Sequence, residues 1–278
     1  MLLTGHQANY LPYLGFFEKI ARADAFVLVD TTQFVKRGPF GWIHRNRIRT
    51  DTPQDAESPA KATDGRERGD SHSRDGWMWL SVPVLTHGKF TQSIREALIN
   101  PQVPWARKHR RSIDWEYRKA PHYDALKPWL DEAYGRPWES LADLNEFLIR
   151  RMLETLGIRT PLVRSSDLGA TGRKTDLVID LCRRMKADTY LSGIHGRDYL
   201  EKERVAAAGI TLKFQEFRHP VYPQVHGGAF IPHLSTLDLL MNCGPRSRAI
   251  LLGEEPAAPA GATPAAAEPA PDDEEQWE

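Results

Sequence analysis

Three loops concentrate the side chains able to do chemistry. In Gly5-His6-Gln7-Ala8-Asn9-Tyr10-Leu11-Pro12-Tyr13, His6 is a proton carrier near neutral pH, Gln7 and Asn9 can orient a substrate, and Tyr10 and Tyr13 offer rings for stacking on a base or sugar. The second loop supplies Asp30, Gln33, Lys36 and Arg37, with Lys36 and Arg37 suited to a phosphate or carboxylate; Trp42 and the basic run His44-Arg45-Asn46-Arg47 follow. In the third, Ser192-Gly193-Ile194-His195-Gly196-Arg197-Asp198-Tyr199, glycine lets backbone approach a ligand, while Ser192, Arg197 and Tyr199 can contact it and His195 is a second acid–base group. Gly169 to Lys174 adds a weaker anion site, because Lys174 opens a predicted helix where backbone N–H groups are unsatisfied.

Several chemistries are excluded or disfavoured. The chain has neither a Walker A motif nor G-x-G-x-x-G, and no G-x-S-x-G elbow surrounds Ser192. Two cysteines, Cys182 and Cys243, give neither a disulfide framework nor metal spacing. His219, His226 and His233 recur every seven residues among loop-breaking Pro and Gly, and no metal is predicted from them. His109 lies in an apolar helix stripe and reads as a hydrogen-bonded core histidine.

The elements that must carry these loops alternate between strand and helix. Leu2-Leu3-Thr4 is a short apolar strand, Leu14, Phe17, Ile20 and Ala21 recur at helical spacing, and Phe26 to Val29 is a continuous apolar strand. The order returns late, with Leu162-Val163-Arg164, a helix over 173–185, Thr189-Tyr190-Leu191, a helix over 197–208 and a strand over 210–217. Between the blocks lie a strand over 79–84 and a helical stretch over 105–156. The pattern predicts a single α/β domain over residues 1–253: an open, largely parallel Rossmann-like sheet with a helical insertion between two α/β blocks. Such sheets bind ligands beyond the carboxyl ends of their strands, which is where all three loops fall.

Composition sets the flanks of this domain apart. Residues 254–278 hold eight Ala, five Pro and eight acidic residues, and read as a disordered acidic tail; residues 51–75 contain only three Ala as apolar residues and read as a disordered insertion. The zero net charge therefore conceals a body, residues 1–253, with 37 basic against 29 acidic side chains, mildly attractive to nucleotides, sugar phosphates or RNA. With no apolar run of membrane-spanning length and no basic n-region, a cytoplasmic protein without membrane insertion is expected. Truncation after Gly253 should leave the melting temperature unchanged, and a loss of several degrees would show that the tail packs on the body.

Ordered motifs carry a resemblance. N-Y-L-P-Y-L-G-F-F, V-D-T-T-Q-F-V-K-R-G, H-R-N-R-I, S-S-D-L, K-T-D-L-V, A-D-T-Y-L-S-G, F-R-H-P-V-Y-P-Q and L-S-T-L-D-L-L-M-N-C-G together resemble the WbqC-like protein family over about residues 1–250. That resemblance implies a transferase of O-antigen or other surface-polysaccharide biosynthesis, acting on sugars or amino sugars. The N-terminal block also resembles pantothenate synthetase-type nucleotidyltransferases, with Asn9 and Pro12 standing where the two histidines of that class would be.

The combined expectation is acyl transfer onto the amine of a nucleotide-linked amino sugar, with His6 as base. Gln7, Tyr10, Tyr13 and Gln33 would position the sugar and Lys174 and Arg197 would hold phosphate; the sequence names no cofactor, though a nucleotide would suit these loops and no metal is predicted. The alternatives are a non-catalytic nucleotide-sugar or RNA-binding module, drawing on the basic residues Arg107 to Arg111, and an adenylate-forming nucleotidyltransferase.

Overall fold

The computed structural model describes residues 1–36, 41–51 and 76–254. Arg37, nearly all of the predicted insertion and residues 255–278 of the predicted tail lie outside the described residues.

Five parallel strands form the central sheet: β1 (Leu2–Gln7), β2 (Ala25–Val29), β5 (Leu162–Arg164), β6 (Thr189–Ser192) and β7 (Thr211–Phe214). Their spatial order is β5-β2-β1-β6-β7. All four neighbouring pairs run parallel, so the chain steps outward in one direction from β1 and in the other from β6. This is the open Rossmann-like α/β arrangement expected from the alternation of elements. The strands are apolar without alternation because both faces are covered. In β2, Phe26 and Leu28 face the larger core with Phe16, Phe17 and Ile20 of α1 (Leu14–Ala21). Val27 and Val29 face a smaller one with Leu177, Val178 and Leu181 of α5 (Thr175–Met185).

The Ala-Asp pair that precedes both β2 and β6 has a shared structural role. Asp24 accepts a hydrogen bond from the backbone N–H of Leu2 at 2.7 Å, and Asp188 accepts one from the amino group of Met1 at 2.7 Å. The two carboxylates fasten the foot of β1 from either side.

The predicted helical insertion resolves into α2 (Trp105–Tyr117), α3 (Tyr123–Gly135) and α4 (Leu141–Thr155). His109 sits in its core, 1% exposed, with Nδ1 2.8 Å from the hydroxyl of Tyr10. The basic run after the second loop is strand β3 (Arg45–Arg49), paired antiparallel with β4 (Trp77–Ser81). Alternation was masked there: Asn46 and Ile48 enter the core while Arg45, Arg47 and Arg49 take the other face, so the inward set holds a single apolar residue.

The helix expected over 197–208 is two pieces, a 3₁₀ turn at Ile194–Asp198 and α6 (Lys202–Ala207). The break lets Leu200 reach the smaller core at 5% exposure. Two helices escaped the periodicity argument, α7 (Thr236–Cys243) and α8 (Ser247–Leu252). Nearly every residue of α7 is buried, so it has no polar stripe to reveal its period. Among the described residues, no helix is long and apolar enough to cross a membrane.

Candidate functional site

The sheet reverses its winding direction between β1 and β6, and the two strands separate there. Their register ends at Thr4 beside Leu191, where the Thr4 hydroxyl donates to the Leu191 carbonyl at 2.7 Å. Beyond that point β1 continues as Gly5-His6-Gln7 against β2 alone, while β6 turns away through Ser192 and Gly193. The resulting cleft is the place where open α/β sheets bind ligands.

His6 occupies one wall of this cleft. Its ring lies edge-on to Phe16 at 4.9 Å and to Tyr13 at 6.4 Å between centroids. Nδ1 is 3.1 Å from the carbonyl of Gln7. A carbonyl only accepts, so Nδ1 carries the proton and Nε2 keeps its lone pair. Burial, and secondly the charge of Lys19, push the imidazole down to about 3, so in this fold His6 is neutral throughout the physiological range. It does not carry a proton near neutral pH as its residue type leads one to expect.

Lys19 was not among the residues expected from sequence. It is 3% exposed, and its Nζ donates to the Gly5 carbonyl at 3.0 Å. Burial pushes this ammonium down to about 8, against the opposing pull of Glu18. A Cβ placed on Gly193 would lie 3.9 Å from that Nζ, so the lysine reaches from α1 across to the loop after β6. Glu18 is 2% exposed and is bonded to Arg22 and Gln215. Gln215 in turn donates its backbone N–H to the Ser192 carbonyl at 2.8 Å, tying the end of β7 to the cleft. The signal for this pair was a charged dipeptide in the apolar helix L-G-F-F-E-K-I-A.

The cleft therefore gathers His6, Tyr13, Ser192 and Gly193 from the expected set, while Gln7 turns to the β2 side. Gln7 donates to the Thr32 hydroxyl at 3.1 Å, linking this loop to the one after β2. Burial raises the Tyr13 phenol to about 12. Ser192 is 4% exposed and pinned under the 3₁₀ turn, where a Cβ on Gly196 would collide with its Oγ. That close approach is what requires glycine at 196.

Two expected ligand groups bond within the fold, and a third is buried. Tyr10 is fully buried and shares hydrogen bonds with His109 and with the Tyr134 hydroxyl at 2.6 Å. Asn9 is only 5% exposed, and among the described residues its buried Oδ1 has no hydrogen-bond partner. Asp30 is fully buried and accepts from the Ser165 hydroxyl, and from the backbone N–H and hydroxyl of Ser166, so it clamps the β2 loop to the β5 loop. Loop position alone does not tell a strand-end side chain that binds ligand from one that binds a neighbouring loop.

The remaining groups lie on the loops that border the cleft and on neighbouring surface. Gln33 and Lys36 lie exposed on the β2 loop, with Gln33 donating to the Phe90 carbonyl at 2.8 Å. His195 is exposed with Nδ1 3.8 Å from Asp198, and Arg197 lies 5.1 Å over the ring of Phe214. Tyr199 is exposed on the same turn. Lys174 is exposed at the start of α5 with φ of +49°, and its neighbour Thr175 accepts the Glu201 N–H at 3.1 Å, which brings the α5 start beside the end of the third loop. His219 and His233 pack together at 5.3 Å, while His226 lies apart between Asp51 and Glu116. Among the described residues no group of three or more His, Cys, Asp or Glu could hold a metal ion. An open hollow of about 450 Å³ between α6 and β7, lined by Lys202, Ile210 and Phe214, contains none of the cleft's polar groups.

Buried histidines make acid stability a test of this geometry. His109 is neutral in the fold, pushed down to about 3 by burial, but titrates near 6.5 when unfolded. The unfolded chain therefore binds more protons between those values, and stability falls as pH drops through that window. The expected loss is about 1.4 kcal/mol per pH unit below roughly 6 for this residue. His6 and His219, which are partly exposed, add less. His109→Gln should flatten the slope of stability against pH in denaturant melts; an unchanged slope would show that the residue titrates in the folded state.

A family model for the WbqC-like protein family matches residues 7–250. The uncharacterized protein Rv1507c of Mycobacterium tuberculosis is 32% identical over 240 residues, covering 86% of this chain and 92% of that one. No solved structure matches. With ordered motifs from the first loop to α7 all inside the matched span, the chain belongs to the WbqC-like protein family.

Proposed function

We propose that the protein is a cytoplasmic transferase of surface-polysaccharide or related small-molecule biosynthesis, acylating the amine of a nucleotide-linked amino sugar in the cleft between β1 and β6. The observation that carries this reading is His6, neutral and with Nε2 unprotonated at the sheet's point of reversal. In the reaction the amine lone pair attacks the carbonyl carbon of an activated acyl donor. His6 Nε2 takes the N–H proton of the adduct, the bond to the leaving group breaks, and the proton passes to that group. Tyr13, Gln7 and Gln33 position the sugar, Ser192 and Gly193 offer their edge to the substrate, and Lys174 and Arg197 hold the nucleotide phosphates.

Incubation with nucleotide-linked amino sugars and acyl thioesters, read by the mass of the acylated sugar, tests the activity. Absence of transfer across both substrate classes, with folded protein, would sink the reading. Lys174→Ala should weaken nucleotide-sugar binding by about 1.5–3 kcal/mol if it contacts phosphate with full charge. Equal affinity in calorimetry would make Lys174 a solvated surface group.

A second reading, a polyanion- or RNA-binding module, is favoured by α2 and the turn that follows it. Arg107, Lys108, Arg111, Arg118 and Lys119 are exposed there, with Trp115 62% exposed and Arg118 stacked over it at 4.6 Å. Salt-dependent RNA binding without transfer would favour it.

A further inference from the structure

Lys19 is a buried cation whose bonding is incomplete. Among the described residues its ammonium makes one hydrogen bond, to the Gly5 carbonyl, although it has three N–H donors. Its sequence neighbour Glu18 is near enough to attract it but directs its carboxylate to Arg22 and Gln215. Buried charges in folded proteins are paired, because removing an ammonium from water costs several kcal/mol that one carbonyl does not return. A lysine kept for structure alone would be expected to reach a carboxylate or the solvent. This one ends between β1 and the Gly193 turn, beside His6.

We propose that Lys19 is the anion anchor of the β1–β6 cleft, and that the missing counter-ion is a phosphate or carboxylate group of the ligand, seated over Gly193 next to His6. The inference rests on the cleft being the ligand site but not on transfer as its chemistry. It also fixes the ligand's orientation: the anionic group lies toward Gly193 and the reacting atom toward the His6 ring. An anion there would oppose the Lys19 charge that disfavours a protonated His6, so the base would become more effective once substrate is bound. Gly193 fits this role, since any side chain would begin 3.9 Å from the ammonium and fill the seat.

The test uses the full chain with inorganic pyrophosphate and succinate as probes, followed by calorimetry. Wild type is expected to bind at least one, more weakly at high salt. Lys19→Met, which keeps the length and apolar stem, should bind about ten- to a hundredfold more weakly. Lys127→Met, on the outer face of α3, should bind as wild type does. Pyrophosphate without succinate identifies a phosphate ligand, and the reverse identifies a carboxylate. Lys19→Met should melt at or above the wild-type temperature, because it removes an under-bonded buried charge. Wild-type affinity in folded Lys19→Met, or no binding of either probe by wild type at millimolar concentration, overturns the proposal. Failure of acyl transfer with Lys19-dependent anion binding intact would remove the transferase reading and leave this one standing.

Discussion

His6→Ala should lower kcat for the acyl transfer about 10²–10⁴-fold, the usual contribution of one positioned base, while melting temperature and nucleotide affinity stay near wild type. The ring packs against Phe16 and Tyr13 and, among the described residues, makes no long-range hydrogen bond, so its loss costs the fold little. His6→Gln is the sharper variant, since an amide can bond to the substrate but cannot take its proton. It should be nearly as impaired as alanine. Full activity in His6→Gln would make the residue a positioning group. The base would then be sought at His195, the second acid–base group of these loops.

Asp238→Ala should produce the largest loss of stability. Asp238 is fully buried in α7 and accepts from the Tyr117 hydroxyl at 2.8 Å and from Gln224 Nε2 at 2.9 Å. The Tyr117 hydroxyl also accepts the backbone N–H of Arg49, and Gln224 is bonded to both backbone groups of Ile231. One carboxylate thus joins α7 to α2, β3 and the segment preceding α7. Burial raises its pKa against the pull of these donors and of Arg49. Removing it leaves the buried Tyr117 hydroxyl and one Gln224 N–H without their acceptor and takes away a carboxylate that attracts Arg49, at about 3–5 kcal/mol. For a body of this size the melting temperature should fall by roughly 6–20 °C. A change below about 1 kcal/mol in denaturant titration would show that water replaces the carboxylate without penalty.

What could be read from the chain followed the clarity of its periods. β1, α1 and β2 were legible because an apolar run, a helical stripe and a second apolar run follow one another with little between them. α7 was not, because a helix buried on all sides has no stripe, and β3 was not, because arginines on its outer face and Asn46 within hid a strand in a basic run. The same limit applied at the site. His6 and Ser192 lie at the ends of β1 and β6, where the strand pattern places them. Tyr10, two residues short of Pro12, looked equally accessible but turns inward to His109. Lys19 fell on the face of α1 that the stripe assigns to solvent, and only the packing of the β7 end and Gln215 against α1 buries that face.

The central position of β1 sets a timetable for biosynthesis. β1 pairs with β2 almost at once, but its other edge waits for β6, about 160 residues later. At about 5–20 residues per second the interval is on the order of ten to thirty seconds. Throughout it, a nascent chain on the ribosome carries an uncovered apolar strand edge of the kind that recruits chaperones or a second chain. The first loop waits longer still, since Pro12 and Tyr13 are held by Thr236 and Ser235. The cleft therefore cannot be completed until residue 236 has been made, and a chain released before that point would lack it.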